Sequence, residues 1–257
     1  MVKEERLNWI LNRLSRDGRV LAIDLIAELG VSEDTVRRDL RELATSRRLR
    51  RVHGGALPPS PVALSYAARV RQSVPEKRSI ASAAARLVEN GQLVFLDGVT
   101  TNVLVAEFLA PDLRATVVTN SVPVAAVLSE HPSVEVILIG GKLLKSSRVA
   151  LGAEAVETIR SFRADLLLLG TCSLDMDAGI TVPHYEEAPV KRAMIAASSR
   201  VIGLATGEKL GTAMACAVGQ VTDLDAIVTE ANTPERLLEP YRDAGIEILR
   251  GDNEGEL

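Results

Sequence analysis

The sequence predicts an α/β fold: a small helical unit at the N-terminus, then a larger domain built on a mainly parallel sheet. Three observations carry this. From Glu76 onward, short apolar runs such as LVFL (93–96), VEVILI (134–139) and LLLL (166–169) alternate with stretches of helical periodicity. That is the pattern of buried parallel strands with helices on both faces. Residues 1–56 instead show short amphipathic helices and a basic tail. Charge is also divided unevenly. Residues 1–56 hold twelve Lys/Arg against nine Asp/Glu, so a chain of formal net charge −4 carries +3 there and −7 elsewhere. An N-terminal excess of this kind suits a polyanionic partner.

Composition narrows the field further. At 257 residues and 47% apolar, the chain has ample core for one large domain or two smaller ones. Aromatics are only 3%, which argues against stacking on single-stranded bases. Two cysteines, Cys172 and Cys216, fit neither a disulfide framework nor a thiolate zinc site. His53, His131 and His184 are too scattered to suggest a metal. Residues 1–16 are charged and amphipathic rather than a leader, and no apolar run approaches a membrane span. A cytoplasmic protein without metal or cofactor is expected.

Residues 3–16 place Leu7, Ile10, Leu11 and Leu14 on one helical face, with Trp9 beside it as a packing anchor. Asp17-Gly18 ends that helix, and residues 19–21 are expected as a short strand. AIDLIAEL (22–29) is a second helix, and Gly30 marks a turn. Ser32 is the expected N-cap of a third helix, with Glu33 and Asp34 in its first turn. Val36, Leu40 and Leu43 form its apolar stripe, leaving Thr35, Arg37, Arg38 and Arg41 outside. Two helices about one turn apart, the second rich in arginine, suit the DNA major groove. There arginine pairs with guanine O6 and N7. LRRV (49–52) and His53-Gly54-Gly55 are expected to form a basic hairpin, a wing with Arg50 and Arg51 near the phosphates.

These residues carry a resemblance. ERLNWIL, VSEDTVRRDL and RVHGGA, in this order and spacing, resemble the DNA-binding half of the DeoR family of bacterial transcriptional regulators. The resemblance implies a winged helix-turn-helix over 1–56. Thr35, Arg37 and Arg38 would read bases, while Ser32, Arg50, Arg51 and His53 would hold the backbone of duplex operator DNA. Arg47 stands where the family usually has a glycine, so a different helix end or wing angle is expected. LPPSP (57–61) opens a linker over 57–74, and the second domain is expected over 75–257.

In parallel α/β sheets ligands bind beyond the carboxyl ends of the strands. After LVFL come Asp97-Gly98-Val99-Thr100-Thr101-Asn102, which read equally as a helix cap or as a phosphate cradle. Thr119-Asn120-Ser121, Gly140-Gly141-Lys142, Gly170-Thr171-Cys172-Ser173 and Thr206-Gly207-Glu208-Lys209 end other strands. Glu187 and Lys191 are four apart on a helix and are expected to face each other. Together these hydroxyls, glycines, amide and lysines suit a small anionic, hydroxylated ligand.

FLDGVTTNVLVAEFL, VVTNSVPVA, the GG after VILI, and EEAPVKRAMI are similar to the sensor half of DeoR regulators. The resemblance implies the sugar-phosphate isomerase fold reused to sense sugar phosphates. It implies effector contacts from Asp97, Gly98, Thr100, Thr101, Asn102, Asn120, Gly141, Lys191 and Lys209. Three positions depart from the family. Val99 replaces a loop glycine and is expected to resist positive φ and to crowd the backbone that would approach a phosphate. Thr206 and Glu208 replace the usual Asp and Ser before Lys209, and Glu208 is expected to repel phosphate. Ser173 replaces a usual glycine. These departures point either to an unusual sugar phosphate or to an effector without phosphate.

The expected function is a transcriptional regulator, a repressor of a carbohydrate-related operon, released by its effector and working as a homo-oligomer. The alternative is a sugar-phosphate isomerase with a basic appendage. It would need a general base. Asp97, Asp175, Glu186 and Glu187 are the available carboxylates, and none sits in a catalytic pattern. A regulator rather than an enzyme is therefore expected.

Overall fold

The computed structural model describes residues 2–17, 20–46, 48–52, 54–57 and 66–252. The N-terminal unit holds α1 (Lys3–Asp17), β1 (Val20–Leu21), α2 (Ala22–Leu29), α3 (Glu33–Thr45), β2 (Arg50–Val52) and β3 (Gly55–Leu57). Leu7, Ile10, Leu14, Leu25, Val36, Leu40, Leu43 and Leu49 close its core, with Trp9 packed against it. The three apolar positions of α3 thus all turn inward, as their spacing predicts. Gly30 ends α2 in the left-handed region at φ 63°, where only glycine avoids a Cβ penalty. The antiparallel order β1-β3-β2 is the wing, and the expected strand before α2 is its third member.

The hairpin register fixes one glycine. A Cβ on Gly55 would overlap the carbonyl oxygen of Val20 in the neighbouring strand. Arg47 and His53 lie outside the described residues, so the helix end and the wing contact expected of them carry no structural account.

The helix α4 (Tyr66–Arg71) lies inside the stretch read as linker, and α5 (Val74–Ala85) begins the larger domain. Next come β4 (Leu93–Leu96), α6 (Thr100–Phe108), β5 (Thr116–Thr119), α7 (Val122–Leu128) and β6 (Glu135–Leu138). A hairpin of β7 (Lys142–Leu144) and β8 (Val149–Leu151) follows, then α8 (Ala153–Arg160) and β9 (Ala164–Gly170). The remainder is β10 (Ser173–Asp175), β11 (Gly179–Val182), α9 (Glu187–Ala196), β12 (Ser198–Leu204), β13 (Cys216–Gly219), β14 (Ala226–Thr229), α10 (Glu235–Asp243) and β15 (Glu247–Arg250).

Seven strands pair in parallel in the order β15-β14-β12-β9-β4-β5-β6. Alternation along the strands splits the core in two. Val94, Leu96, Leu166 and Leu168 face α5, α6 and α7 through Ile80, Val105 and Val124. Phe95, Leu167 and Leu169 face α8, α9 and α10 through Ile159, Met194 and Leu238. The order also locates the site. From β4 the chain runs outward through β5 and β6, then returns to add β9, β12, β14 and β15 on the other side. The direction reverses between β4 and β9, and a crevice opens at such a switch point beyond the strand ends.

The antiparallel sheet β10-β11-β13 and the β7-β8 hairpin stand outside this scheme and were not foreseen from the sequence.

Candidate functional site

The outer face of α3 begins at its cap. Ser32 has extended backbone, and its Oγ accepts from the Thr35 N–H at 3.3 Å and lies 2.9 Å from Thr35 Oγ1. Behind the helix, Asp39 is 1% exposed and takes both arms of Arg6, at 2.5 and 3.1 Å. This paired contact locks α1 across the inner side of α3 and turns the other side outward. Arg37, Arg38 and Arg41 are exposed. Arg37 pairs with Glu33 one turn earlier, at 2.6 Å on the open surface, where such a pair is weak and easily exchanged. Arg38 has no hydrogen-bond or ion-pair partner among the described residues.

Arg51 is exposed, whereas Arg50 differs from expectation. Its Nε and Nη2 are shielded from solvent without a partner, burial lowers its pKa, and Asp175 of the larger domain partly offsets that. Arg50 is therefore turned inward here rather than presented to a phosphate.

At the rim of the parallel sheet, the loop after β4 carries a buried carboxylate. Asp97 is 2% exposed. Its Oδ1 accepts from Asn102 Nδ2 at 2.7 Å and from the Gly170 N–H at 3.0 Å, and its Oδ2 takes the Lys191 ammonium. Lys191 also donates to the Gly170 carbonyl at 2.8 Å. Burial opposes the lysine's charge, but Asp97 outweighs it and the pKa is raised. This cluster ties β4, α6, β9 and α9 together at the switch point. Lys191 is thus not paired with Glu187, which instead accepts from Ser147 Oγ at 3.0 Å. A partner 94 residues away prevails over the one at helical spacing because Asp97 lies under the helix.

Two recesses flank Val99. One is a cavity of about 40 Å³ lined by Arg69, Lys77, Thr100, Cys172, Glu208 and Lys209, among others. The other, of about 20 Å³, is lined by Asp97, Gly98, Asn120, Glu187 and Lys191, among others. Of the expected effector residues, Thr100 and Lys209 meet at the first recess, and Asp97, Gly98, Asn120 and Lys191 at the second.

Three expected contacts are corrected. Thr101 and Asn102 lie inside α6, which begins at Thr100, and are buried at 2% and 0%. Asn102 donates its Nδ2 to Asp97 and the Leu168 carbonyl, while its Oδ1 is buried without a partner. Gly141 serves the hairpin: its φ is 137° and a Cβ there would lie 2.5 Å from the Leu151 carbonyl oxygen. Gly98 is also needed for packing, since a Cβ would overlap Val149.

The expected strain at Val99 is absent. Its φ is −95° and ψ 157°, ordinary extended backbone. Glu208 does not simply repel an anion either. Its carboxylate accepts from Gln72 Nε2 and Ser73 Oγ, all at 3.2 Å, and so holds the corner between α4 and α5.

That corner supplies residues the sequence reading missed. Lys77 donates to the carbonyls of Arg69 and Gln72 at 2.5 and 2.6 Å, closing the end of α4. Burial, and then Lys209, lower its pKa to about 8. Arg69 Nη2 reaches the Ser146 carbonyl at 3.1 Å, while its Nε is buried without a partner. Lys209 is 8% exposed, and its ammonium has no hydrogen-bond or ion-pair partner among the described residues. Burial lowers its pKa, against the pull of Cys172 and Glu208. An unmatched buried ammonium is costly, and it invites an anion.

A model of the DeoR C terminal sensor domain matches residues 72–231, and one of the DeoR-like helix-turn-helix domain matches residues 6–62. The chain belongs to the DeoR family. It is 34% identical over 251 residues to the HTH-type transcriptional repressor GlcR of Bacillus subtilis (strain 168), covering 97% of this chain and 96% of that one. It is 34% identical over 254 residues to the HTH-type transcriptional regulator GlpR of Haloferax volcanii, covering 98% and 99%. It is 32% identical over 249 residues to the glycerol-3-phosphate regulon repressor of Escherichia coli (strain K12), covering 96% and 99%.

This DeoR-family chain is a DNA-binding transcriptional regulator. The carboxylates open to the isomerase alternative are otherwise engaged. Asp97 and Glu187 are bonded as above, Asp175 accepts from the N–H groups of Asp177 and Ala178, and Glu186 pairs with Lys142 at 2.9 Å. His131 accepts from the Ser133 and Val134 N–H groups within a loop, and His184 is exposed. No helix among the described residues is long and apolar enough to cross a membrane.

Proposed function

We propose that this DeoR-family regulator is a cytoplasmic homo-oligomeric repressor of a carbohydrate-related operon. A phosphorylated sugar or related anionic metabolite at the Lys209 recess weakens its hold on the operator. The observation that carries the effector reading is the buried, unpartnered Lys209 ammonium at the switch point. Arg69 and Lys77 add two cations and Glu208 one carboxylate, so the recess is net positive. Thr100 adds a hydroxyl in the first turn of α6, where the helix dipole favours an anion. Relatives named as repressors, one of a glycerol-3-phosphate regulon, support the same reading. Helix-turn-helix proteins commonly dock as dimers on paired half-sites, which supports a homo-oligomer.

On the DNA side, Thr35, Arg37 and Arg38 are the reading set, with Ser32 and Arg51 on the backbone. Arg50 would join them only after turning outward. Arg38→Ala is expected to cost about 1–3 kcal/mol on a specific site and to relax preference at one base pair. Fluorescence anisotropy on operator DNA measures this, and unchanged affinity removes Arg38 from the set.

On the effector side, Lys209→Met is expected to abolish release from the operator by sugar phosphates while leaving operator affinity intact. A variant still released at wild-type effector concentration refutes the assignment. Lys77, set between Lys209, Glu208, Arg69 and Glu76, loses its charge as pH rises through about 8. Anion affinity at the recess is therefore expected to hold below that pH and fall above it. Calorimetric titrations across pH 7 to 9 (a span of roughly one unit either side of the titration) read this directly.

A further inference from the structure

Val99 lines both recesses and stands between them. Its side chain lies on the backbone of Gly170: a Cβ at that glycine would overlap both Val99 methyl groups. The contact spans the crevice between the ends of β4 and β9, where the two strands pair directly. Two features keep this wall in place. The Val99 carbonyl accepts from the Asn102 N–H at 3.1 Å, at the start of α6. A β-branched side chain also has little χ1 freedom.

The compartments differ in charge. On the Lys209 side, Arg69, Lys77 and Lys209 face a single carboxylate, Glu208. On the far side, Lys191 is matched by Asp97, and Glu187 adds a further negative charge. An anion is attracted to the first and not to the second.

Buried polar atoms without a partner remain on both sides: Arg69 Nε on one and Asn120 Oδ1 on the other. The Lys209 ammonium also makes no hydrogen bond or ion pair among the described residues. A ligand able to satisfy all three would have to pass through the space that Val99 fills.

We propose that Val99 is a specificity-determining wall that confines the effector to the Lys209 compartment, selecting a short phosphorylated ligand over a hexose phosphate. This rests on the effector site proposed above. The anionic group sits on Lys209 and Arg69, and the carbon chain ends before Val99. Asn120 stays unsatisfied because nothing of that length reaches it.

The test compares inorganic phosphate, a three-carbon polyol phosphate and a hexose 6-phosphate by calorimetry on the full-length wild type, Val99→Gly and Val99→Ala. Val99→Ala keeps Cβ and removes both methyls, so it covers the case in which the glycine variant folds poorly. The expected result is a wild type that prefers the three-carbon ligand. The variants gain about tenfold or more for the hexose phosphate, a gain typical of reshaping an apolar wall, with inorganic phosphate unchanged. In Val99→Gly the added Asn120→Ala change removes most of that gain.

If the order of preference is the same in wild type and both variants while Lys209→Met abolishes binding, the wall is wrong and the site survives. If neither wild type nor variants bind any of the three phosphates, the site assignment fails with it.

Discussion

Lys191→Met is expected to destabilise the folded protein by about 3–5 kcal/mol, the cost of leaving a buried carboxylate without its partner. Asp97 is 2% exposed, and its remaining donors, Asn102 and the Gly170 N–H, are neutral. They cannot replace a full charge in a low-dielectric site. The paired change Asp97→Asn with Lys191→Met is expected to recover much of the loss, because no charge is then stranded. Urea denaturation of the single and double variants measures the coupling directly. A single variant within about 1 kcal/mol of wild type, the size of an ordinary surface change, would mean that water or a rearranged neighbour already serves Asp97.

The second large effect lies in the wing. Gly55→Ala places a methyl against the Val20 carbonyl oxygen, a backbone atom that pairing of β1 with β3 holds in place. The strands must separate or the hairpin must shift, at a cost of about 1–3 kcal/mol. Because the wing carries Arg51, specific operator binding is expected to be lost while the larger domain keeps its stability. The two readouts are anisotropy on operator DNA and differential scanning calorimetry. Wild-type affinity would show that the wing tolerates the shift and contributes little to docking.

The periodic parts of this chain were legible from the sequence. Leu7, Ile10 and Leu14, then Val36, Leu40 and Leu43, define two helices because each must bury one stripe. The apolar runs at 93–96 and 166–169 define central strands because both faces are covered. Ser32 was legible as a cap because its hydroxyl serves a nearby N–H group.

What escaped was decided at long range. The strands β10 (SLD), β11 (GITV) and β13 (CAVG) carry no four-residue apolar run, and β11 finds β13 across some thirty intervening residues. The Asp97–Lys191 pair spans 94 positions, whereas the local rule suggested Glu187. Arg69 and Gln72 lay in a stretch whose prolines read as tether, and Lys77 in a helix with no site motif. Their role appears only once α4 folds back on the rim. Val99 stands out in the sequence as a departure, but the strain expected of it is absent, and its methyls pack on Gly170 instead.

The corner between α4 and α5 has a consequence for anyone recombining such regulators. Part of the recess wall is contributed by chain that precedes the sheet: Arg69, Gln72 and Lys77 all come before β4. If the recess is the effector site proposed above, a chimera spliced ahead of Tyr66 is expected to carry its ligand preference intact to a foreign DNA reader. One spliced after Lys77 transplants the sheet but leaves behind two of the three cations, and is expected to lose its response.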